Sequence, residues 1–458
     1  MAQLRRLPLA LLALAAPLLA VGCCTAAAAQ PRDPVKRTVE RAFARGAIDA
    51  AQRREYLESY SAARKTERRL SGVRRSELGY VIRLLQRLAA QKRLGSRMPV
   101  LFLTLDRNRE WWAKAGPPAS GARLSFGGSR VIFQYFPGRG LQFHPLANWG
   151  QANGFWYAHR EIDLRALIRD LVKLSVERSG FLTWEYYFDY GGGSPPWISA
   201  MAQGTAMQAL VRAASRLQDP ELVEVARRAR GAFAKRTPVG VRARQGRANW
   251  YALYSFAPRL NVLNGMLQAV NGLRTYAEYA NDAKALKLFK RGDRTARAQV
   301  RRYDTGAWSL YSRPGGRPGP EANLNYHTLN RDFSRNLCRA TDATAYCTAA
   351  KHFTRYLKED PTLEPVRAVP APATAGRGVR FRFRLSKISR VGIVVRDAGG
   401  SVVSSTSATF TYGSRYFRWV PPPARRERVY EFHLSARDLA GNTGSAEGTV
   451  RVKGRGKG

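Results

Sequence analysis

The chain has 458 residues, 45% apolar and 24% charged, which is long enough for two or three folded domains and too apolar to remain disordered. Lysine and arginine number 77 against 33 acidic residues, a formal net charge of +44, so an anionic partner is expected. The cations are spread along the chain, with no recognition helix, zinc-finger spacing or aromatic–basic signature, which argues against nucleic acid as that partner.

The first stretch, "MAQLRRLPLALLALAAPLLAVGCC", has two arginines, a proline-interrupted apolar run and then small residues. It reads as a secretory signal peptide over 1–29, cleaved after Ala29. Acylation of Cys23 in "AVGC" is the alternative, although Ala20 stands where a lipobox prefers a bulky aliphatic. No later stretch is apolar and long enough to span a membrane. The expected location is therefore outside the cell or in its envelope.

Residues 30–150 read as helices followed by short strands. Leu78, Val81, Leu84, Leu85 and Leu88 make one apolar helix face, and "RLSFGG" and "RVIFQYFPGRGLQFHPL" are strand-like runs broken by glycine and proline. From 151 to 362, helices of 12 to 20 residues alternate with loops. Val262, Met266, Val270, Leu273 and Ala277 share one face, and Ala285, Leu286 and Phe289 open the next helix. Such a run of helix pairs suits an incomplete α/α barrel, a helical toroid whose loops at one end form a cleft. Cys338 and Cys347, in "NLCRATDATAYC", are spaced to close a loop between two helices by a disulfide in an oxidising compartment.

Past "EPVRAVPAPATAG" the period changes to two. Val379, Phe381, Phe383 and Leu385 alternate with arginines, and further short strands with turn punctuation predict a small immunoglobulin-like β-sandwich over 366–452. It carries no cluster of reactive groups and is expected to serve attachment or substrate capture. Residues 453–458 form a basic tail. The fold class expected is thus mainly α, with a small all-β C-terminal domain.

The candidate chemistry lies in loops. Tyr254 in "YALYSFAP", Tyr311 in "YDTGAWSLYS" and Tyr326 in "NLNYHTLN" each sit beside a helix boundary, next to small or amide residues rather than inside an apolar stripe. The histidines (His144, His159, His327, His352 and His433) show no metal-ligand spacing, and no phosphate-binding glycine loop is present. No metal and no cofactor are expected.

Four segments in register, "SPPWISAMAQGTAMQALVRA" (194–213), "LNVLNGMLQAVNGL" (260–273), "YDTGAWSLYS" (303–312) and "LNYHTLN" (324–330), resemble the C-terminal catalytic domain of the D-glucuronyl C5-epimerases. The resemblance covers about 180–360 and implies an incomplete α/α barrel. It implies inversion of carbon five of a glucuronic acid unit within a polysaccharide, an isomerase reaction needing proton transfer on both faces of the sugar. On that resemblance Tyr254, Tyr311 and Tyr326 are the proton-transfer residues, base and acid unassigned. Nearby arginines would loosen their protons and hold the substrate carboxylate, with Arg259 and Arg313 as candidates and His327 to orient a tyrosine or the substrate. For Asn264 a substrate hydrogen bond and a helix cap are both open. The sequence departs from the family at Ala252 and Leu253, where a glutamate pair often precedes the tyrosine. Glu185 and Asp189 are the carboxylates available to substitute. A non-catalytic polysaccharide- or wall-binding protein and a uronate lyase, which shares the first half of the mechanism, are the alternatives. A glycosidase using Glu185, Asp189, Asp304 or Glu321 stands lower, because no carboxylate pair is visible.

Overall fold

The first two described helices start on short polar caps. A computed structural model describes residues 33–245 and 248–454; the expected signal peptide with Cys23 and the last four residues of the tail lie outside the described residues. Asp33 accepts the Val35 amide at the start of α1 (Pro34–Ala44), and Asp49 and Gln52 cap each other's backbone at the start of α2 (Ala50–Arg69). In α3 (Gly72–Ala90) the five leucines and valines of the expected face are all buried, packed against α4 (Met98–Lys114). The buried Glu77 carboxylate of α3 accepts from the Tyr135 hydroxyl and the Gly138 and Gly140 amides. This ties α3 to the small sheet β1 (Arg123–Leu124), β2 (Phe133–Phe136), β3 (Gly140–Phe143).

The expected division at residue 150 falls inside a helix, α5 (Pro145–Tyr157), which packs on α6 (Glu161–Lys173) and on α7 (Ala200–Leu217). Between them lies the hairpin β4 (Val176–Arg178)–β5 (Phe181–Thr183). After α7 come α8 (Glu221–Ala229), the single turn α9 (Gly231–Ala234) and the hairpin β6 (Arg242–Gln245)–β7 (Ala248–Tyr251). Then follow α10 (Leu263–Tyr279), α11 (Ala283–Val300), α12 (Leu324–Thr341) and α13 (Thr344–Arg355). The inner row is α5–α7–α10–α12, each packed on the next; α6 and α8 back α7, α11 backs α10 and α13 backs α12.

The α7–α10 crossing is set by two glycines: a Cβ on Gly272 would stand 2.1 Å from the Gly204 carbonyl oxygen, so the backbones touch where side chains would normally separate them. In α11, Ala285 and Phe289 are buried, but Leu286 is 38% exposed. It lies about 100° round the helix from Ala285, off the packed stripe. Cys338 on α12 and Cys347 on α13 are disulfide-bonded, joining that helix pair.

The C-terminal domain has one sheet in the order β13 (Gly413–Trp419), β10 (Val379–Leu385), β8 (Val366–Val369). The other runs β12 (Val402–Phe410), β11 (Ser389–Arg396), β14 (Arg428–Asp438), β15 (Thr443–Lys453), β9 (Ala373–Thr374). Inward residues of both sheets share one core, with Val379, Phe381, Phe383 and Leu385 inside and Arg380, Arg382 and Arg384 outside. This domain does not stand apart. Lys387, buried, donates to Asp438 Oδ2 at 2.7 Å and to the Tyr356 and Glu359 carbonyls of the helical domain, 5.6 Å from the Trp308 ring centre. Glu321, in the loop before α12, accepts the Ile388 and Tyr412 amides at 2.9 and 2.8 Å.

Candidate active site

Three loops bring the candidate tyrosines together. Tyr254 follows β7 in a loop fixed by Ser255, whose amide bonds the Ile198 carbonyl and whose hydroxyl accepts the Ile198 amide. Tyr311 is gripped by its backbone: its amide bonds the Pro320 carbonyl, and its carbonyl accepts the first amide of α10, Leu263. Tyr326 sits in the first turn of α12, its amide capped by Asn323. The Tyr254 and Tyr311 hydroxyls are 3.2 Å apart, and the Tyr311 and Tyr326 rings 4.9 Å centre to centre. Tyr326 is 37% exposed and the other two are half-buried.

Burial is the first cause that raises all three phenols above the ordinary tyrosine value. Tyr254 is pushed furthest, with Tyr311 and Tyr190 adding to it; Tyr311 is pushed up to about 12; Tyr326 is raised with Tyr190 as second cause. Against that, the hydrogen bond from Tyr254 works to lower Tyr311. The two phenols are thus pushed apart, and Tyr311 is the one whose ionised form the pair favours.

The other candidates scatter. His327 is fully buried: Nδ1 takes Ser309, Nε2 bonds the Phe353 carbonyl, and the ring stacks on Trp308 at 3.7 Å. Burial lowers it to about 4, so it is a neutral core residue. Arg313 donates to the Arg302 and Gly316 carbonyls and covers Tyr303, and Arg259 is exposed; among the described residues the arginine field expected around the phenols is not found. Glu185 is buried between Arg97 (2.6 Å) and Arg178 (2.7 Å), which overcome its burial and hold it ionised. It is a structural anchor and does not stand in for a missing glutamate. Ala252 is itself buried, its carbonyl accepting the Ala200 amide, so a carboxylate there would be forced into the core. Asp189 accepts from Tyr80 at 2.8 Å and lies 3.6 Å from Arg87. Asn264 lies inside α10 rather than at its cap, buried, with Nδ2 unpartnered.

The sequence reading missed Tyr190. Its ring lies 5.4 Å from Tyr254, completing an aromatic wall with Trp197 and Phe256. The available signal was its place before Gly191 and Gly192, both at positive φ, the same loop-edge setting as the other three.

Four inner helices begin at this end. Leu146 of α5 and Tyr254 pack on the same cluster of Tyr186, Phe188, Trp197 and Ala202, α7 starts three residues after Trp197, α10 starts on the Tyr311 carbonyl, and α12 starts two residues before Tyr326. Their positive ends therefore converge on the tyrosines. A cleft of about 890 Å³ lies between α5, α7 and α12; Leu146, Met201 and Leu329 line it, whereas Tyr254, Tyr311 and Tyr326 do not. No helix among the described residues is long and apolar enough to cross a membrane, and no group of three or more His, Cys, Asp or Glu there could hold a metal ion.

Residues 178–355 match the sequence profile of the family described as D-glucuronyl C5-epimerase C-terminus. A stretch of 170 residues, 36% of this chain, is 27% identical to an uncharacterized protein of Methanocaldococcus jannaschii, covering 54% of it. A stretch of 152 residues, 30% of this chain, is 29% identical to the D-glucuronyl C5-epimerase of Caenorhabditis elegans, covering 25% of it. The match thus spans about half of one relative and a quarter of the other. Among solved structures, a cellobiose 2-epimerase from Bacillus thermoamylovorans aligns over 66% of this chain and 75% of its own at 11% identity with a TM-score of 0.38. That likeness is too distant to decide fold or activity.

Proposed function

We propose, from the premise that residues 178–355 belong to the D-glucuronyl C5-epimerase C-terminal family, that this protein is an exported epimerase inverting carbon five of glucuronic acid units in an anionic polysaccharide. The observation that carries the reading is the meeting of Tyr254, Tyr311 and Tyr326, from three separate loops, with two phenols in hydrogen-bond contact. In this reading the helical array is an incomplete α/α barrel and the C-terminal domain is immunoglobulin-like.

Tyr311 is the base. As a phenolate it accepts the Tyr254 hydroxyl, which keeps its own proton because burial raises it further. The C5–H bond breaks toward the Tyr311 oxygen, and its electron pair passes into the sugar carboxylate as an enolate. Tyr254 and Tyr311 touch and so serve one face; Tyr326, the more exposed, returns a proton to the other. Tyr311, now a neutral phenol, gives its proton to solvent and Tyr326 takes one back, so both return to their starting states. The converging helix N-termini, rather than arginines, supply the positive field at the carboxylate.

The test is proton exchange. In deuterated water, glucuronate-containing polysaccharide should gain deuterium at carbon five, read by NMR, with iduronate as product and loss of exchange in Tyr311→Phe. Unsaturated ends would make the protein a lyase. The second reading, a binding protein on an epimerase fold, is favoured by the absence, among the described residues, of a guanidinium beside the phenols and by Ala252 and Leu253. Polysaccharide binding without any exchange would establish it.

A further inference from the structure

The β domain carries one face on which strand register alone arranges charge. In β10 the residues Arg380, Arg382 and Arg384 point outward, and all three are exposed. Antiparallel pairing sets Arg418 of β13 opposite Arg380, and Arg367 of β8 opposite Arg382; both are exposed too. Directly opposed residues share a face, so five arginines stand on the outer side of this three-stranded sheet. Neighbours are about 5 Å apart across the strands and about 7 Å apart along β10.

Two observations separate this face from a chain that is basic throughout. None of the five forms an ion pair among the described residues; Arg380 lies instead over the Tyr416 ring, 5.3 Å from its centre. The other sheet, by contrast, mixes its signs at the same kind of position, with Arg396 opposite Glu431 and His433 opposite Glu447. Like charges directly opposite one another destabilise a sheet. The pairs Arg380–Arg418 and Arg382–Arg367 therefore weaken the isolated domain, and an anionic surface laid on them would relieve the repulsion.

The layout selects the kind of anion. A linear polyanion running along β10 meets one column of three arginines and leaves Arg367 and Arg418 to its sides. A plane of anionic headgroups meets all five at once. Tyr416, on the same face and 52% exposed, offers the amphipathic ring that suits the boundary between a bilayer and water. We propose that this sheet face docks on a bilayer surface rich in anionic phospholipid, its five guanidiniums set against headgroup phosphates. Attachment of this kind is peripheral, and it stands apart from whether the tyrosines act on a sugar.

The test is co-sedimentation of the full chain with vesicles of equal parts phosphatidylcholine and phosphatidylglycerol, and with vesicles of phosphatidylcholine alone. Binding is expected to the first and not to the second; equal binding to both overturns the proposal. Arg380→Gln, Arg382→Gln and Arg384→Gln together should weaken binding on the order of a hundredfold, and Arg367→Gln or Arg418→Gln about fivefold each, as one surface cation contributes. The control removes the same charge elsewhere: Lys284→Gln, Lys287→Gln and Lys290→Gln, all exposed on α11, should leave binding nearly unchanged. Equal loss in the two triple variants would mean that overall charge does the binding, and the face would have no special part. Removing opposed like charges should keep or raise the midpoint in urea, which separates lost docking from lost folding. Should the triple arginine variant unfold, the two single variants decide alone. A glucuronate polysaccharide that displaces the vesicles, and whose own binding is lost in the β10 triple variant but kept in the Arg367 and Arg418 variants, would assign the face to a linear polymer and overturn the bilayer.

Discussion

At the residue scale, the phenol pair makes a prediction about pH. Because Tyr311 is raised to about 12, only a small fraction is phenolate near neutrality, and exchange at carbon five should climb as pH rises toward 10. Tyr254→Phe removes the donor that favours the phenolate; a hydrogen bond to a charged group is worth about 2 kcal/mol, or about 1.5 pH units. The Tyr311 resonance in protein carrying 13Cζ-tyrosine should then keep its neutral-phenol position to higher pH than in the parent, and an unchanged onset would count against the pairing. The loop tyrosines are legible in the sequence because small and amide neighbours leave them off any apolar stripe. His327 is not, since it follows Tyr326 by one residue. One step turns the chain by about 100° on a helix, which takes His327 into the core while Tyr326 faces outward. The fate of Glu185 was equally hidden, because one of its partners, Arg97, is 88 residues away.

At the element scale, periodicity reads faces well and contacts poorly. The α3 and α10 stripes and the alternation of β10 are buried where the sequence puts them, and Ala285, Leu286 and Phe289 do open α11, with Leu286 on its exposed side. Nothing in the sequence marks Gly204 and Gly272 as partners, since the glycines only acquire meaning when α7 and α10 cross. Gly272→Ala drives a methyl into backbone that has no rotamer to yield, so it should destabilise by about 3 kcal/mol, read as a lower midpoint in urea. Gly150→Ala, in α5 with nothing within 4 Å of a new Cβ, is the control and should stabilise slightly.

At the scale of the whole molecule, buried phenols set the alkaline limit. Tyr56, Tyr80 and Tyr135 are each raised to about 12, first by burial. Their folded values lie above the unfolded one near 10, so between pH 10 and 12 the folded chain binds more protons than the unfolded chain. Their stabilising contribution is complete below pH 10 and is lost as pH rises through 12; the thermal midpoint should fall across that window and not below it. The interface between the helical and β domains was not legible either, because Lys387 and Glu321 read as ordinary loop residues. Glu321 accepts two amides from the β domain, and its backbone pairs with Leu310, beside Tyr311. Glu321→Gln has an oxygen for only one of those amides. It should cost about 1–2 kcal/mol and broaden the Tyr311 resonance, whereas an unchanged resonance would show that the hairpin holds itself.

The docking of the sandwich by Lys387 and Glu321 also bears on inheritance. The family match stops at 355, yet the amides that fasten Glu321 in the loop after Tyr311 come from 388 and 412, and Lys387 holds the Tyr356 and Glu359 carbonyls that follow α13. A gene fusion that exchanged the last hundred residues for an unrelated module would expose a carboxylate and two carbonyls that now have partners. The two parts are therefore constrained to evolve together, and a chimera will work only if its new module brings its own lysine and its own pair of amides.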